Sequence, residues 1–203
     1  MEEILNRLIL KIYVWQNTAT LWFWLFVISA GYLAVSYFFF QRCLFMSPTQ
    51  MGTLVRLGFA VAGVGALIGL LLPFSFIARL IAYLLGFAGA IYGYLQSSAP
   101  HPAADIANCL AAPAFPFAAP LDSLLPELFR PASCTGTPSF LAGTALSDVQ
   151  SFFGGFYGEG FYLVPSIKFA DAAQCAQVAF AAFAAVLAVM FASFLYGRFT
   201  RSF

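Results

Sequence analysis

The chain has 203 residues, of which 62% are hydrophobic and 8% charged, with a net charge of +1. This composition excludes an ordinary soluble domain and indicates a protein that lies in a lipid bilayer. It also argues against a nucleic-acid-binding protein, because no basic stripe is present to neutralise phosphates.

The N-terminal segment, residues 1–18, is predicted to stay on the protein. It begins with two acidic residues and has no small-residue cleavage site, unlike a signal peptide. Its apolar residues recur at helical spacing, which predicts a short amphipathic helix at the membrane surface. The alternative is a helical extension of the first membrane span.

Four uncharged stretches, each long enough for the ~20 residues that cross a bilayer, predict an all-α integral membrane protein. The predicted spans of this four-helix bundle are residues 21–40, 54–72, 76–95 and 173–196. Pro73 separates the second span from the third by a tight turn. The predicted organisation is 1–18 for the amphipathic segment, 19–96 for spans one to three, 97–170 for a long ordered loop rich in proline, and 171–203 for span four and the tail.

The positions of Lys and Arg predict the orientation. Arg42 and Arg56 are the only basic residues near the short connection between spans one and two. More basic residues flank the other ends of the spans, so both termini are predicted to be cytoplasmic and the long loop extracytoplasmic.

Small residues in three spans predict close helix packing. They form Gly65-xxx-Gly69, Gly89-xxx-Gly93 and an alanine-rich face of span four (Ala181, Ala184, Ala185, Ala188, Ala192). Packing within one bundle is the favoured interpretation, and an interface with another subunit is the alternative.

The chain has four cysteines. Cys109 and Cys134 lie in the long loop at a spacing that suits a disulfide, which by its loop length could contribute ~3 kcal/mol. From the residues alone, a structural staple is the favoured role. Cys43 and Cys175 are predicted to be buried free thiols. His101 is the only histidine, so no metal site is expected.

Arg56 is the remaining candidate, because a guanidinium at the mouth of a membrane span is costly without a partner. It is predicted to bind a quinone or a lipid headgroup, or else to extend towards the membrane surface. No catalytic triad or phosphate loop is present, and Gly154-Gly155 and Gly158–Gly160 are interpreted as turns. A transporter is disfavoured, because no acidic residue lies within the spans and no inverted repeat is apparent.

Three stretches of the chain resemble the disulfide bond formation protein B (DsbB) family, and most closely its DsbI branch. They are residues 37–56, with an aromatic-Gln segment followed by Pro48 and Arg56; residues 109–134, between the two loop cysteines; and residues 160–172, leading into span four. The resemblance implies a multi-pass protein of the bacterial inner membrane.

The resemblance also implies a mechanism that this chain does not reproduce. Family members carry a Cys-x-x-Cys that passes electrons to a quinone, ubiquinone or menaquinone, while the loop cysteines exchange with a periplasmic thioredoxin-like protein. At the corresponding positions this chain has Thr49 and Gly52. The sequence therefore favours a redox-inactive structural or quinone- or lipid-binding subunit of a membrane complex. The alternative is a thiol–disulfide exchange protein that works through Cys109 and Cys134.

Overall fold

The computed structural model describes Lys11, Val14 and residues 19–99, 109–111, 113–140 and 146–199. The predicted amphipathic helix over residues 1–18 lies outside this part of the chain, except for Lys11 and Val14. His101 also lies outside it.

The described chain is mainly helical. Its elements in order are α1 (Thr20–Ala34), a π-helical segment (Val35–Cys43), α2 (Gln50–Leu71), α3 (Phe76–Ser98), a 3-10 turn (Pro116–Ala118), α4 (Leu121–Leu124), α5 (Pro126–Phe129), α6 (Asp148–Phe156), β1 (Tyr162–Val164), a second 3-10 turn (Pro165–Ile167), β2 (Phe169–Asp171) and α7 (Ala172–Phe199). The two strands pair antiparallel, with Tyr162 opposite Asp171.

Four helices among the described residues are long and apolar enough to cross a membrane, which confirms the predicted all-α membrane fold. They are Thr20–Cys43, Gln50–Leu71, Phe76–Ser98 and Ala172–Gly197. Span one is longer than the sequence predicted, because the helix continues into the π-helical segment. The second helix begins earlier than predicted, at Gln50, and ends before Pro73.

The chain forms two compact units. The first consists of the described residues of Met1–Ala30, Gly58–Tyr92 and Ala179–Phe203. Its core is aromatic: Trp22 packs on Tyr83 at 5.0 Å between ring centroids, and Phe59 stacks on Phe180 at 4.3 Å.

Glycines let the helices of this unit approach closely. A Cβ built on Gly65 would lie 2.8 Å from the carbonyl oxygen of Ala82, and one built on Gly89 would lie 2.5 Å from the backbone nitrogen of Ala62. Helices α2 and α3 therefore contact each other through their backbones at these glycines.

The prediction for span four is wrong about which face packs. Its buried residues include Phe180, Phe183, Leu187, Met190 and Phe194. Four of the five alanines named above are exposed, and Ala184 is half-buried. Gly86 of α3 leaves room for one of these large side chains, Leu187, to turn inwards.

We expect Gly89→Ala to destabilise the protein, because the new methyl group would collide with the backbone of α2 rather than with a movable side chain. Overpacking of this kind costs about 1–3 kcal/mol. The matched control is Gly31→Ala, since a Cβ at Gly31 has nothing within 4 Å. Thermal unfolding in detergent should show a clear drop in melting temperature for Gly89→Ala alone; equal melting temperatures would contradict the close approach.

The second unit consists of Gly31–Leu57 and Gly93–Val178. It holds the π-helical segment, the start of α2 and the long loop with its short elements. All the predicted site residues that the structure describes, Thr49, Gly52, Arg56, Cys109 and Cys134, lie in this unit.

Candidate functional site

Cys109 and Cys134 form a disulfide, with their Cα atoms 5.4 Å apart. The segment around Cys134 is attached to the chain that precedes α2. The backbone nitrogens of Ala132 and Ser133 both donate to the carbonyl oxygen of Pro48, at 2.9 and 3.3 Å. One half of the disulfide is therefore held beside the start of α2.

Further contacts extend this attachment on both sides. Met46 forms an isolated antiparallel bridge with Pro138, and Ser139 donates to the carbonyl oxygen of Phe45 through both its backbone nitrogen and its hydroxyl. Gly136 has a φ of +61°, and a Cβ there would lie 3.1 Å from the Thr49 methyl group. Residues 132–139 thus run alongside residues 45–49.

Thr49 is the residue immediately before α2, and Gly52 lies in the first turn of that helix. The Thr49 hydroxyl accepts a hydrogen bond from the Gly52 backbone nitrogen at 3.1 Å, which is the bond of a helix N-cap. A threonine at this position satisfies a backbone donor that would otherwise have no partner. A threonine hydroxyl provides neither a thiolate nor a partner for a disulfide, so Thr49 and Gly52 cannot take part in thiol–disulfide exchange.

Arg56 lies one turn further along α2 and is only 4% exposed. Its guanidinium makes four hydrogen bonds, all to neutral oxygens. Nε donates to the Ser36 hydroxyl at 2.8 Å, Nη2 to the Ser36 carbonyl at 3.1 Å, and Nη1 to Gln41 Oε1 at 2.8 Å and the Leu128 carbonyl at 3.1 Å. Neither of the two ion pairs found among the described residues involves Arg56.

The π-helical segment explains how one arginine reaches both Ser36 and Gln41. In a π-helix the backbone hydrogen bonds join residues five apart, as from the Leu44 nitrogen to the Phe39 carbonyl at 3.0 Å. Ser36 and Gln41 are five apart and so point to the same side, towards Arg56. In an α-helix the same spacing would turn the two side chains well away from each other.

The π-helical spacing of five residues also brings a second group of side chains together, on another side of the segment. Tyr37 and Arg42 are also five apart, and the Arg42 side chain donates to the Tyr37 hydroxyl through Nε at 3.0 Å. Both residues also donate to the carboxylate of Glu127. Hydrogen bonds from Tyr37 and then from Arg42 hold the pKa of Glu127 below its usual value.

Gln41 joins the two clusters. Its Oε1 accepts from Arg56, while its Nε2 donates to the backbone carbonyl of Glu127 at 2.7 Å. Arg56 also donates to the carbonyl of Leu128. The side chains of Gln41 and Arg56 therefore connect the short helix α5 of the long loop to span one and to α2. Sequence reasoning identified Arg56 but missed Ser36, Gln41 and Leu128, because their convergence depends on the π-helical register.

Arg56 retains donor capacity. A guanidinium has five N–H groups, and its contacts with the described residues use four of them, leaving one hydrogen of Nη2 without a partner in that part of the chain. Chemically, the site therefore combines a buried positive charge with one further donor. Such a group can bind a carbonyl or phosphate oxygen.

The other two cysteines are half-buried free thiols. The Cys175 sulfur lies 3.5 Å from the Ala170 carbonyl, and the carbonyl of Cys43 accepts a hydrogen bond from Gln150. Among the described residues, no group of three or more potential ligands could hold a metal ion.

The four membrane spans agree with a match to known proteins. The family model for disulfide bond formation protein DsbB matches residues 18–192. The chain belongs to this family and is a multi-pass membrane protein.

The curated relatives place it in the DsbI branch. A DsbI from Campylobacter fetus is 33% identical over 170 residues, covering 78% of this chain and 79% of the relative. A DsbI from Campylobacter jejuni is 29% identical over 183 residues, covering 79% of this chain and 68% of the relative. The protein-disulfide oxidoreductase DsbI of Salmonella typhimurium is 29% identical over 176 residues, covering 79% and 78%. No solved structure matches the chain.

Proposed function

We propose that this protein is a thiol–disulfide exchange protein of the bacterial inner membrane that works through Cys109 and Cys134. The observation that carries the proposal is the disulfide itself, held beside the start of α2 by the Pro48 carbonyl. The name of the Salmonella relative, a protein-disulfide oxidoreductase, supports the same activity. On this proposal the Cys109–Cys134 pair exchanges disulfides with another protein and is not a purely structural disulfide.

The proposed reaction is a two-electron exchange. A thiolate of a reduced periplasmic thioredoxin-like protein attacks one sulfur of the Cys109–Cys134 disulfide and forms a mixed disulfide, releasing the other sulfur as a thiolate. The second thiol of the partner then resolves the mixed disulfide. The partner leaves oxidised, and Cys109 and Cys134 are left as two thiols.

Reoxidation of the pair needs a second disulfide, because Thr49 and Gly52 carry no sulfur. We propose that another protein supplies it, and that ubiquinone or menaquinone is the final acceptor only through that protein. We also propose that both termini are cytoplasmic and that the long loop, residues 97–170, is periplasmic, where it can meet such a partner; it lies between spans one to three (19–96) and span four with its tail (171–203).

A mixed-disulfide trap tests the proposal. The natural chain, in native membranes and with its Cys109–Cys134 disulfide oxidised, is mixed with a reduced periplasmic thioredoxin-like protein whose second active-site cysteine is alanine, and free thiols are then blocked with N-ethylmaleimide. We expect a reductant-sensitive adduct on a non-reducing gel, because the single thiolate of the partner breaks the loop disulfide and has no second thiol to resolve the mixed disulfide that it forms. The adduct should persist when Cys43 or Cys175 is serine and disappear in the Cys109→Ser/Cys134→Ser double variant.

The second candidate function is a redox-inactive subunit of a membrane complex that binds a quinone or a lipid headgroup at Arg56. The hydroxyl cap at Thr49 and the remaining N–H donor of Arg56 favour it. It predicts no adduct from the natural chain and a loop disulfide that resists mild reductant. That combined result would rule out thiol exchange and favour this candidate.

A further inference from the structure

A groove of about 400 Å³ lies between span one and the short loop helices α4 and α5. Its walls are almost entirely apolar. Leu33, Ala34 and Phe38 line it from span one, and Leu124–Leu128 line it from the loop. The volume is within the ~300–1,000 Å³ that is usual for sites that bind small molecules. This cavity is called the span-one groove below.

The span-one groove reaches from the interior of a membrane span to its end. Span one runs from Thr20 to Cys43, so Leu33 lies well inside it and Arg42 lies next to its last residue. At ~1.5 Å per residue, Leu33 is on the order of 10 Å deeper in the membrane than Arg42. Phe38 is 67% exposed, so the groove is open on this side. Because the helix beside it crosses the bilayer, the groove opens towards lipid.

An exposed pair of opposite charges stands at the edge of the groove. Glu127 lines the groove and pairs with Arg42, and both side chains are 58% exposed. Arg42 uses Nε and Nη2 for its bonds to Tyr37 and Glu127, and Glu127 accepts both of its side-chain bonds through Oε2. Among the described residues, Nη1 of Arg42 and Oε1 of Glu127 have no hydrogen-bond partner. One cationic donor and one anionic acceptor are therefore left at the same edge.

We propose that the span-one groove binds one molecule of phosphatidylethanolamine, with an acyl chain along the apolar walls and the headgroup on Arg42 and Glu127. A phosphate oxygen of the lipid accepts from Nη1 of Arg42, and its primary ammonium group donates to Oε1 of Glu127. Both are charge-assisted hydrogen bonds, which are the stronger kind. Only two carbons join the ammonium group to the phosphate ester, so one headgroup can reach two side chains that contact each other.

The charges select this lipid over other phospholipids. Phosphatidylglycerol supplies a phosphate but no cation for Glu127. Phosphatidylcholine supplies a cation, but its quaternary ammonium has no hydrogen to donate. The low pKa of Glu127, caused by its hydrogen bonds from Tyr37 and Arg42, keeps the carboxylate charged at neutral pH. This site uses neither the loop disulfide nor Arg56, so the proposal does not rest on thiol exchange.

Native mass spectrometry of the full chain in detergent tests the proposal. The delipidated protein is titrated with phosphatidylethanolamine, phosphatidylcholine or phosphatidylglycerol, all with the same acyl chains. We expect the first phosphatidylethanolamine to bind the natural chain several-fold more tightly than either other lipid. Glu127→Gln should remove the preference over phosphatidylcholine, and Arg42→Met should weaken phosphatidylethanolamine binding several-fold. Equal affinities for the three lipids, or a preference that survives Glu127→Gln, would overturn the proposal.

The control for the charges is the double variant Glu159→Gln/Lys168→Met. It removes the other ion pair found among the described residues, which does not line the span-one groove. This variant should keep the preference for phosphatidylethanolamine. Loss of the preference here would show a general effect of surface charge and would also overturn the proposal.

A second variant tests the groove without touching the ion pair. Ala34→Phe places a ring in the groove and should weaken phosphatidylethanolamine binding several-fold, even if the charge variants fail to fold. Ala181→Phe is its matched control, because Ala181 is exposed on span four. Equal binding by the two variants would overturn the proposal. Ubiquinone that binds more tightly than the phospholipids and loses affinity in Ala34→Phe would assign the groove to an isoprenoid chain, and would overturn it as well.

Discussion

Replacing Thr49 and Gly52 together with cysteine is expected to convert the protein from one that does not reduce quinone into one that does. Thr49 caps α2 and Gly52 lies in its first turn, and the helix N-terminus stabilises a thiolate at these positions. A Cβ at Gly52 would lie 3.3 Å from the Thr49 side-chain oxygen, so two sulfurs there are close enough to form a disulfide. Arg56 lies one turn away with a donor for a quinone carbonyl.

The measurement is the loss of ubiquinone absorbance when the purified variant is supplied with a reduced periplasmic thioredoxin-like protein. We expect turnover from the double cysteine variant and none from the natural chain. The single Thr49→Cys variant is the control, because one sulfur cannot form a disulfide within that turn. The double variant should lose activity when Cys134→Ser is added.

Two results would contradict this prediction. Quinone reduction by the natural chain would mean that Cys43, Cys175 or another protein in the preparation already provides the relay. A double variant that forms its new disulfide and still fails to reduce quinone would mean that no quinone binds beside Arg56.

Replacing Arg56 with methionine is expected to destabilise the protein and loosen the long loop. The substitution leaves Gln41 Oε1 and the carbonyls of Ser36 and Leu128 without their donor. An unsatisfied buried acceptor costs about 1–3 kcal/mol, so the combined loss should exceed about 2 kcal/mol even after the cost of burying the charge is removed. Protease cleavage within residues 121–130 should rise together with a fall in melting temperature.

Arg130→Met is the matched control, because Arg130 lies just after α5 and is exposed. Its effect should stay within about 0.5 kcal/mol. Arg56→Lys should fall between the two, since an ammonium group cannot reach several separate acceptors in the fixed geometry of a guanidinium. Similar melting temperatures for Arg56→Met and Arg130→Met would show that the hydrogen bonds at Arg56 do not hold the loop.

Part of this structure could be predicted from the residues alone. The four spans follow from stretches without charges, because each is long enough to cross a bilayer and Pro73 divides the middle pair. The register of span one could not be predicted, since no local pattern distinguishes π-helical from α-helical hydrogen bonding in a run of aromatic residues. For that reason Arg56 was identified as a candidate while Ser36 and Gln41 were not.

Two other differences have physical causes that the sequence showed only in part. The alanines of span four suggested a packing face, but the space beside Gly86 of α3 is filled by the larger side chain of Leu187. The glycines at 154 and 155 suggested a turn, whereas the capping box at Ser147 and Gln150 starts a helix that continues through them. In both cases a glycine lies where the side chain of another residue comes close to the helix backbone.

The bonds at Pro48 are made by main-chain atoms only. A backbone oxygen is present whatever side chains occupy the neighbouring positions, so evolution or an engineer can exchange residues 49 and 52 while this anchor for the chain around Cys134 stays available. Substitutions at positions 49 and 52 can therefore change the chemistry of this turn without removing the two bonds that hold Ala132 and Ser133 beside it.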